Sequence, residues 1–351
     1  MDANLLKVAV NNFGSIFAAD IYQKTGIDFT YPSQIYAQVN TACNSKCPMC
    51  NVWREKDVEL PASIWIEWLK NVRSFIGPYK ICFAGGEVFL KKDIFDIFEY
   101  CSKSNIPFGI TTNGILLTKE NIHRFLDLNP LNINISMDSM DEELYNQLRG
   151  VPALNLIKSN IEYLMEYIEK SKSHVKVSFK TVISSKNLGQ LTGIAEYARK
   201  MNIMGITYDP IKKRRKIFEE SNIPEFEEIY AIDKNKLKEV IEELVHLKSK
   251  GYNILNSEEN MQQWLNYDKK GLSRKCDVPL RNLVVNSDGN IHLCDFNDIS
   301  VSNIKDPDFA SAWKKCDVKR IKAELVNCKN NCQYCMKRGF KDYLKLFLKY
   351  S

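Results

Sequence analysis

Cys43, Cys47 and Cys50, within VNTACNSKCPMCNVWRE, are spaced C-x3-C-x2-C. Three thiolates in so short a loop can hold metal, yet they are one donor short of a closed tetrahedral site. The set suits a three-ligand zinc ion or an iron–sulfur cluster with one iron left open. A second group lies far along the chain: Cys276, Cys294, Cys316, Cys328, Cys332 and Cys335. Cys276 and Cys294 flank a turn in the pattern C-x12-G-x4-C, and CKNNCQYC adds another C-x3-C-x2-C. Either this group supplies the fourth donor to the first loop, or it forms a separate site and the vacancy is kept for something else. Cys82 and Cys101 stand alone in KICFAGG and FEYCSKS, and their apolar neighbours predict ordinary buried residues.

Bulk properties narrow the class. The chain has 351 residues, 44% hydrophobic and 26% charged, enough for one large domain or two of moderate size. Its net charge of +6 is too weak to imply nucleic acid, though it would draw anionic substrates. No apolar run is long enough to span a bilayer, and MDANLLKVAVNN lacks the layout of a secretory signal. The expected location is the cytoplasm, where eleven cysteines point to metal or redox chemistry rather than disulfides.

The elements that must position these thiols alternate along the chain. Strand patterns cover 34–40, 79–87, 108–114, 131–138, 176–183 and 205–211. All but the last are followed by a helical pattern, at 64–76, 93–104, 118–128, 154–171 and 189–202. Such alternation predicts right-handed crossovers and a parallel sheet, and six units fall short of a closed eight-stranded barrel. The pattern changes near residue 212, with the basic run Lys212–Lys216, and then polar helical sequence follows. Two strand-like runs around Asp288-Gly289 predict a hairpin in a smaller C-terminal domain.

In parallel α/β architectures ligand sites gather at the carboxyl ends of strands. The first cysteines follow the first strand directly. The next strands end in Gly85-Gly86-Glu87, Thr112-Asn113-Gly114 and Ser136-Met137-Asp138, and the last ends near Asp209. Polar residues and glycines at successive strand ends outline one shared pocket.

With C-x3-C-x2-C and the GGE of the next strand, the chain resembles the radical S-adenosylmethionine (SAM) superfamily over about residues 33–211. Residues 270–335 are similar to the short, twitch form of its SPASM accessory domains. The resemblance implies a partial (β/α)6 TIM-like barrel with a small C-terminal auxiliary-cluster domain of β-hairpin plus helices. It makes Cys43, Cys47 and Cys50 ligands of a [4Fe–4S] cluster whose open iron takes the amine and carboxylate of SAM. By the same resemblance Gly85, Gly86 and Glu87 face the methionyl amine, Ser136 the cofactor carboxylate or ribose, and Arg149 the carboxylate. Asn113 and Asp138 lie on the same rim. The chain departs from the family at Met49, where an aromatic is common, and at Val88, where proline is common. The implied reaction is reductive cleavage of the sulfonium to a 5′-deoxyadenosyl radical, which removes hydrogen from an unactivated C–H bond.

For the second cysteine group the resemblance implies one auxiliary [4Fe–4S] cluster on Cys276, Cys294, Cys332 and Cys335, with Cys328 in reserve and Cys316 spare. A structural zinc, or two clusters with non-cysteine ligands, remain alternatives. Asp295, directly after Cys294, is the candidate general base, as in relatives that oxidise alcohols or thiols. His292, on the same hairpin, is read as core packing. The implied partner is an electron donor such as flavodoxin or ferredoxin.

Several features bear on the substrate. Lys212–Lys216 is an oxyanion contact or a solvated loop. Residues 339–351 place lysines on one helical face, which could lie on a membrane surface or dock on the protein itself. The stretch ahead of Cys43 is short for a leader-recognition domain, which tilts the expectation to a small polar substrate: a sugar, cyclitol or nucleotide-linked compound. The expected organisation is an N-terminal helical extension (1–32), a barrel (33–211), a helical linker (212–269) and the auxiliary-cluster domain with a C-terminal helix (270–351). The expected activity is net dehydrogenation. The alternatives are a peptide- or protein-modifying maturase that oxidises, crosslinks or epimerises, and a non-catalytic iron–sulfur carrier or redox sensor.

Overall fold

A computed structural model describes residues 3–50, 52–56, 58–211, 224–266, 275–296, 299–314 and 316–328. Cys332, Cys335, Lys212–Lys216 and residues 339–351 lie outside the described residues, as does the side chain of Cys316.

Helix α1 (Ala3–Thr25) precedes six parallel strands: β1 (Gln34–Gln38), β2 (Lys80–Ala84), β3 (Phe108–Thr112), β4 (Asn132–Ser136), β5 (Lys176–Ile183) and β6 (Gly205–Pro210). Between them run α2 (Ala62–Ile76), α3 (Ile94–Lys103), α4 (Lys119–Leu126), α5 (Glu142–Arg149), α6 (Leu154–Ser171) and α7 (Leu191–Lys200). The six strands lie side by side in chain order. That order is the mark of a singly wound sheet, with every crossover on one face.

Burial agrees. Along each strand one set of alternate residues joins the helix-covered core: Ile35 and Ala37, Ile81 and Phe83, Ile133 and Ile135, Phe179, Ile206 and Tyr208. Of the other set, Tyr36, Cys82, Thr111, Ser136, Lys180 and Thr207 are half-buried or exposed, and the buried Asn134 and Ser178 are polar. A doubly wound sheet would bury both. The helices present matching stripes: α2 buries Ala62, Trp65, Trp68, Leu69, Val72 and Ile76. Between β2, β3, α3 and α4, Phe83, Phe98, Phe108 and Phe125 pack with ring centroids 5.0–5.7 Å apart. Each buried phenylalanine contributes roughly 1.5–3 kcal/mol.

Helices α8 (Pro224–Tyr230), α9 (Lys234–Ser249) and α10 (Glu258–Gln263) follow the last parallel strand. Its open edge is met by the segment before α10, where the Asn256 side chain accepts from Tyr208 N and donates to Tyr208 O.

The C-terminal region comprises α11 (Val278–Arg281), β7 (Asn282–Val285), β8 (Asn290–His292), β9 (Ser300–Asn303), α12 (Phe309–Lys314) and α13 (Cys316–Val326). The hairpin forms as the turn chemistry requires: Gly289 takes φ +89°, and Asp288 Oδ1 accepts from Asn290 N. The hairpin is not a separate sheet. β7 pairs parallel to β1, in register Gln34↔Asn282 through Ala37↔Val285, so one nine-stranded sheet runs β6-β5-β4-β3-β2-β1-β7-β8-β9.

Among the contacts that pin the N-terminal segment to this region, two use buried cations. Arg281 donates to Asn12 Oδ1 and pairs with Asp277 at 2.9 Å. The buried Lys322 ammonium, on α13, reaches Asp28 at 3.1 Å and Thr30 Oγ1 at 3.1 Å.

Candidate functional site

β1 does not stop cleanly at Gln38. Its ladder with β2 continues through Val39 N to Ala84 O, Gly86 N to Asn40 O and Glu87 N to Ala42 O. The segment that delivers Cys43 is thus laid directly on Gly85-Gly86-Glu87. Both glycines are required by that approach: a Cβ on Gly85 would lie 2.1 Å from Asn40 Oδ1, and one on Gly86 would lie 2.2 Å from Ala42 O. The Asn40 amide locks the arrangement by donating to Glu87 O at 2.9 Å.

Glu87 is 1% exposed and fully occupied in organising its neighbours. Its Oε1 accepts from Thr112 Oγ1 at 2.8 Å and from Phe89 N at 3.4 Å, and Oε2 accepts from Asn113 N at 2.8 Å. The Val88 backbone N–H bears on the same carboxylate, so its roughly four lone-pair sites face four donors. Burial pushes its pKa up to about 6, opposed by these donors. Asn113 passes the link on. Its amide nitrogen donates to Asn44 Oδ1 at 2.7 Å and Ser45 Oγ at 3.2 Å, with Cys43 Sγ at 3.9 Å.

The other side of the cysteine loop rests on the carboxyl end of α5. That helix starts at an Asp141 cap on Leu144 N and ends at Gly150 in the left-handed region, φ +65°. Arg149 O accepts from Lys46 N at 3.0 Å and from the Cys47 thiol at 3.7 Å. A Cβ on Gly150 would sit 2.7 Å from Lys46 O. The Arg149 guanidinium turns to the fully buried Asp138 at 2.5 Å and to Cys47 Sγ at 3.9 Å. Asp138 Oδ1 also accepts from Val182 N, which ties the ends of β4 and β5 together. Burial raises the Asp138 carboxyl, opposed by Arg149 and the Val182 amide. Burial alone would lower Arg149, but Asp138 beside it overrides this and holds the guanidinium charged.

Burial also raises the thiols. Cys47 is pushed up to about 12, with Arg149 opposing, and Cys43 is raised by burial and by Glu87 and Cys50. These groups are neutral until a cation offsets their desolvation, so metal binding would release protons. Among the described residues no three or more His, Cys, Asp or Glu side chains converge as one metal ion would require. The thiolates of a cluster bind different irons and need no common point. Three thiols in a loop braced on both sides, with a close-approach glycine pair alongside, fit an open-iron cluster.

The structure therefore brings Cys43, Cys47, Cys50, Gly85, Gly86, Glu87 and Asn113 together, with Asp138 and Arg149 behind the loop. Ser136 is half-buried at the end of β4 on the inner face. In the C-terminal region Cys276 N donates to Val326 O at 2.9 Å, two residues before Cys328, so those two cysteines are neighbours. Cys294 follows β8 and accepts from Phe296 N, while Asp295 is exposed on the same turn. His292 is buried, as expected, beside the Asn286 amide at 3.1 Å.

One expectation is corrected. Cys82 is not an ordinary core residue: it is half-buried on the inner face, 3.6 Å from Thr111 Oγ1 and 3.7 Å from Asn134 Nδ2. The apolar Ile81 and Phe83 that suggested burial point to the other face. Cys101, at 0% exposure, is the core residue expected. What the residue-by-residue reading missed is the polar inner face itself. Asn134 bonds Thr111, Cys82 and Ser178 across four strands. The signal was present as polar residues at every second position of β4 and β5.

Helices on one face, a polar opposite face and thiols after the first strand define a half-barrel built around a cluster at its strand ends. Comparisons with known proteins agree. The model of the radical SAM superfamily matches residues 38–184, and that of the SPASM iron–sulfur cluster-binding domain matches residues 276–336. The chain belongs to the radical SAM superfamily and carries a C-terminal SPASM/twitch-type domain. Its cofactors are a SAM-binding [4Fe–4S] cluster, an auxiliary cluster and SAM. It is 22% identical over 315 residues to the AdoMet-dependent heme synthase of Methanosarcina barkeri, covering 87% of this chain and 88% of that protein. It is 30% identical over 196 residues to a probable GTP 3′,8-cyclase of Methanococcus maripaludis, covering 54% of this chain and 64% of that protein. The fold is similar to Streptococcus suis SuiB bound to S-adenosylmethionine, with TM-score 0.67 at 17% identity over 92% of this chain and 78% of that one. It is equally similar to SuiB bound to its precursor peptide SuiA, with TM-score 0.66 at 18% identity over 90% and 73%. No described helix is long and apolar enough to cross a membrane.

Proposed function

We propose that this protein modifies a small polar substrate at an unactivated C–H bond, most simply by net dehydrogenation. The observation that carries this reading is the inner face of the sheet: below the thiol loop it is hydrogen-bonding rather than apolar, through Cys82, Thr111, Asn134 and Ser178. A hydrogen-bonding face next to a one-electron centre suits a hydroxyl-rich ligand.

In this reading Cys43, Cys47 and Cys50 hold the SAM-binding cluster. The bound cofactors supply the one-electron chemistry that removes a hydrogen atom from carbon. The chain's own groups do the positioning. Glu87 offers the charge of its carboxylate to an ammonium, which would favour its ionised form. Asn113 steadies Cys43, and Ser136 presents a hydroxyl from β4. Asp138 and Arg149 act from behind, fixing the Lys46–Cys47 backbone. Cys276, Cys294 and Cys328, with one of Cys332 and Cys335, are the four thiols for the auxiliary cluster, and Asp295 is the base that takes a substrate proton.

The test is anaerobic reconstitution with iron counting and chemical reduction in the presence of SAM. About eight irons per chain would support two clusters. Formation of 5′-deoxyadenosine by the wild type and its loss in Cys43→Ala is the expected result. Loaded protein that forms none would defeat the enzyme reading and leave an electron carrier.

A second reading, modification of a peptide, is supported by the likeness to peptide-bound SuiB. Incorporation of solvent deuterium, or loss of two hydrogens, in a co-encoded peptide rather than a sugar or nucleotide would select it.

A further inference from the structure

Helix α1 is attached to the protein by its polar side. Asn11 Nδ2 donates to Pro78 O at 2.5 Å, and Ser15 Oγ donates to Tyr31 O at 3.1 Å. Asn12 Oδ1 accepts from Ser33 Oγ at 3.1 Å, Gln34 Nε2 at 3.2 Å and Arg281 at 3.3 Å. The apolar side chains buried with them are Val8, Ile16 and Ala19. Larger ones point the other way: Leu6, Val10 and Phe17 are 44%, 63% and 58% exposed. With the half-buried Phe13 they recur at intervals of four, three and four residues, the spacing of a coiled-coil seam. A surface helix ordinarily turns such a stripe inward and its asparagines outward. The reverse arrangement here leaves a seam for a second helix.

The chain itself passes the place where that helix could start. At the carboxyl half of α1, Ala19 packs with Leu280 of α11 and Val326 of α13, and Tyr22 lies against them. One turn on, Gln23 Nε2 donates to Lys275 O at 3.2 Å and Lys275 Nζ donates to Gln23 O at 2.7 Å. The described chain thus ends, at Cys328, close to α1. Residues 329–351, outside the described part, follow. Their last stretch, GFKDYLKLFLKYS, repeats the seam spacing in Phe340, Leu344 and Phe347. On a helix Lys341, Lys345 and Lys349 would share the opposite side. The lengths agree. Twelve residues separate Cys328 from Phe340, a tether of up to about 40 Å. Leu6 to Phe17 spans about 17 Å of helix, and residues 340–351 would span the same.

We propose that residues 340–351 dock along α1 as an amphipathic helix, with Phe340, Leu344 and Phe347 on the Leu6–Val10–Phe17 stripe and the lysines in solvent. A second copy of α1 is the poorer occupant. So few side chains fall well short of the about 800 Å² per partner that a stable dimer buries, whereas a tethered segment needs less because its association is intramolecular. The consequence concerns the CKNNCQYC loop, which is then held at both ends by one helix. Val326 meets Ala19 before it, and the docked segment meets the stripe after it. Resting on the auxiliary-cluster reading above, this makes α1 the brace of that cluster's ligand loop.

The test uses the full chain, reconstituted anaerobically, with Val10 replaced by the photo-crosslinking residue p-benzoylphenylalanine. Unlabelled and isotope-labelled chains are mixed and irradiated, and the products are read by peptide mass spectrometry. Crosslinks into residues 340–351 of the same chain are expected. Crosslinks only between labelled and unlabelled chains would overturn the proposal in favour of a dimer seam. Absence of tail crosslinks overturns it too; crosslinks to lipid in phosphatidylglycerol vesicles would then assign the stripe to a membrane surface. Hydrogen exchange gives a second arm. Residues 340–351 should exchange at least about tenfold more slowly in the wild type than in Phe17→Asp, and Phe17→Leu should keep the protection. Lys345→Gln should keep it as well, and its loss there would overturn the orientation. The iron count separates docking from bracing. Iron retained by Phe17→Asp after desalting should fall from about eight to about four per chain. Unchanged iron with the protection lost overturns the brace. A wild type that holds only about four irons would defeat the auxiliary-cluster reading alone, and the crosslinks would still decide the docking.

Discussion

The Arg149 guanidinium lies between an anion and a thiol, 2.5 Å from Asp138 Oδ2 and 3.9 Å from Cys47 Sγ. Asp138 sits at the end of β4, and Cys47 sits in the loop after β1. Arg149, from α5, is therefore the strut between two elements that do not pair in the sheet. Breaking a buried pair from one side costs about 3–5 kcal/mol, because the remaining charge is left unpaired. Arg149→Met alone should lower the urea stability of the metal-free chain by that amount. Adding Asp138→Asn should recover much of the loss, since the orphaned carboxylate is gone. Additive losses in a double-mutant cycle would show that the two groups are not coupled.

Glu87 predicts a pH dependence. Its folded pKa of about 6 stands above the unfolded value of 4.5, because burial disfavours the charged form. The folded protein then binds more protons than the unfolded chain between these values. The contribution to stability is fully present below pH 4.5 and is lost as pH rises through about 6. The difference amounts to about 2 kcal/mol at neutral pH. Urea titrations of the metal-free chain at pH 5 and pH 7.5 should show this slope, and Glu87→Gln should flatten it whatever its absolute stability. A slope that survives in Glu87→Gln belongs to another group.

The approach of β2 to the cysteine segment predicts a steric result. Gly86→Ala would put a methyl 2.2 Å from Ala42 O and 2.4 Å from Thr41 O, both backbone atoms that cannot swing aside. Relief must come from moving residues 41–42, and Cys43 moves with them. Overpacking of this kind costs about 1–3 kcal/mol, which this large core should survive. The folded variant should lose more than tenfold in iron retention at the first site, by iron assay after desalting. Gly193→Ala on α7, where a Cβ meets nothing within 4 Å, is the control and should be neutral.

Much of this site was legible in the residues because it is local. The thiol spacing, the GGE after the second strand and the six strand–helix alternations each show within a short window. The register of distant strands does not. Nothing around Asn282–Val285 says that it will pair with Gln34–Ala37, so the hairpin's place in the main sheet was not visible. Ile81 and Phe83 make Cys82 read as a core residue, yet they are its neighbours in sequence and not in space. In a strand, sequence neighbours lie on opposite faces.

The C-terminal cysteines allow a sharper distinction than spacing did. The bond from Cys276 N to Val326 O holds Cys276 beside the end of α13, where the chain reaches Cys328 two residues later. Cys316 begins the same helix, eleven residues long to Val326. At 1.5 Å rise per residue it is about 15 Å from that end, too far to share a cluster with Cys276 unless the helix unwinds. Cys328→Ser should therefore lower the iron content from about eight to about four per chain and bleach part of the cluster absorption. Cys316→Ser should leave both unchanged. The reverse pattern would mean that the chain around α13 rearranges when iron binds.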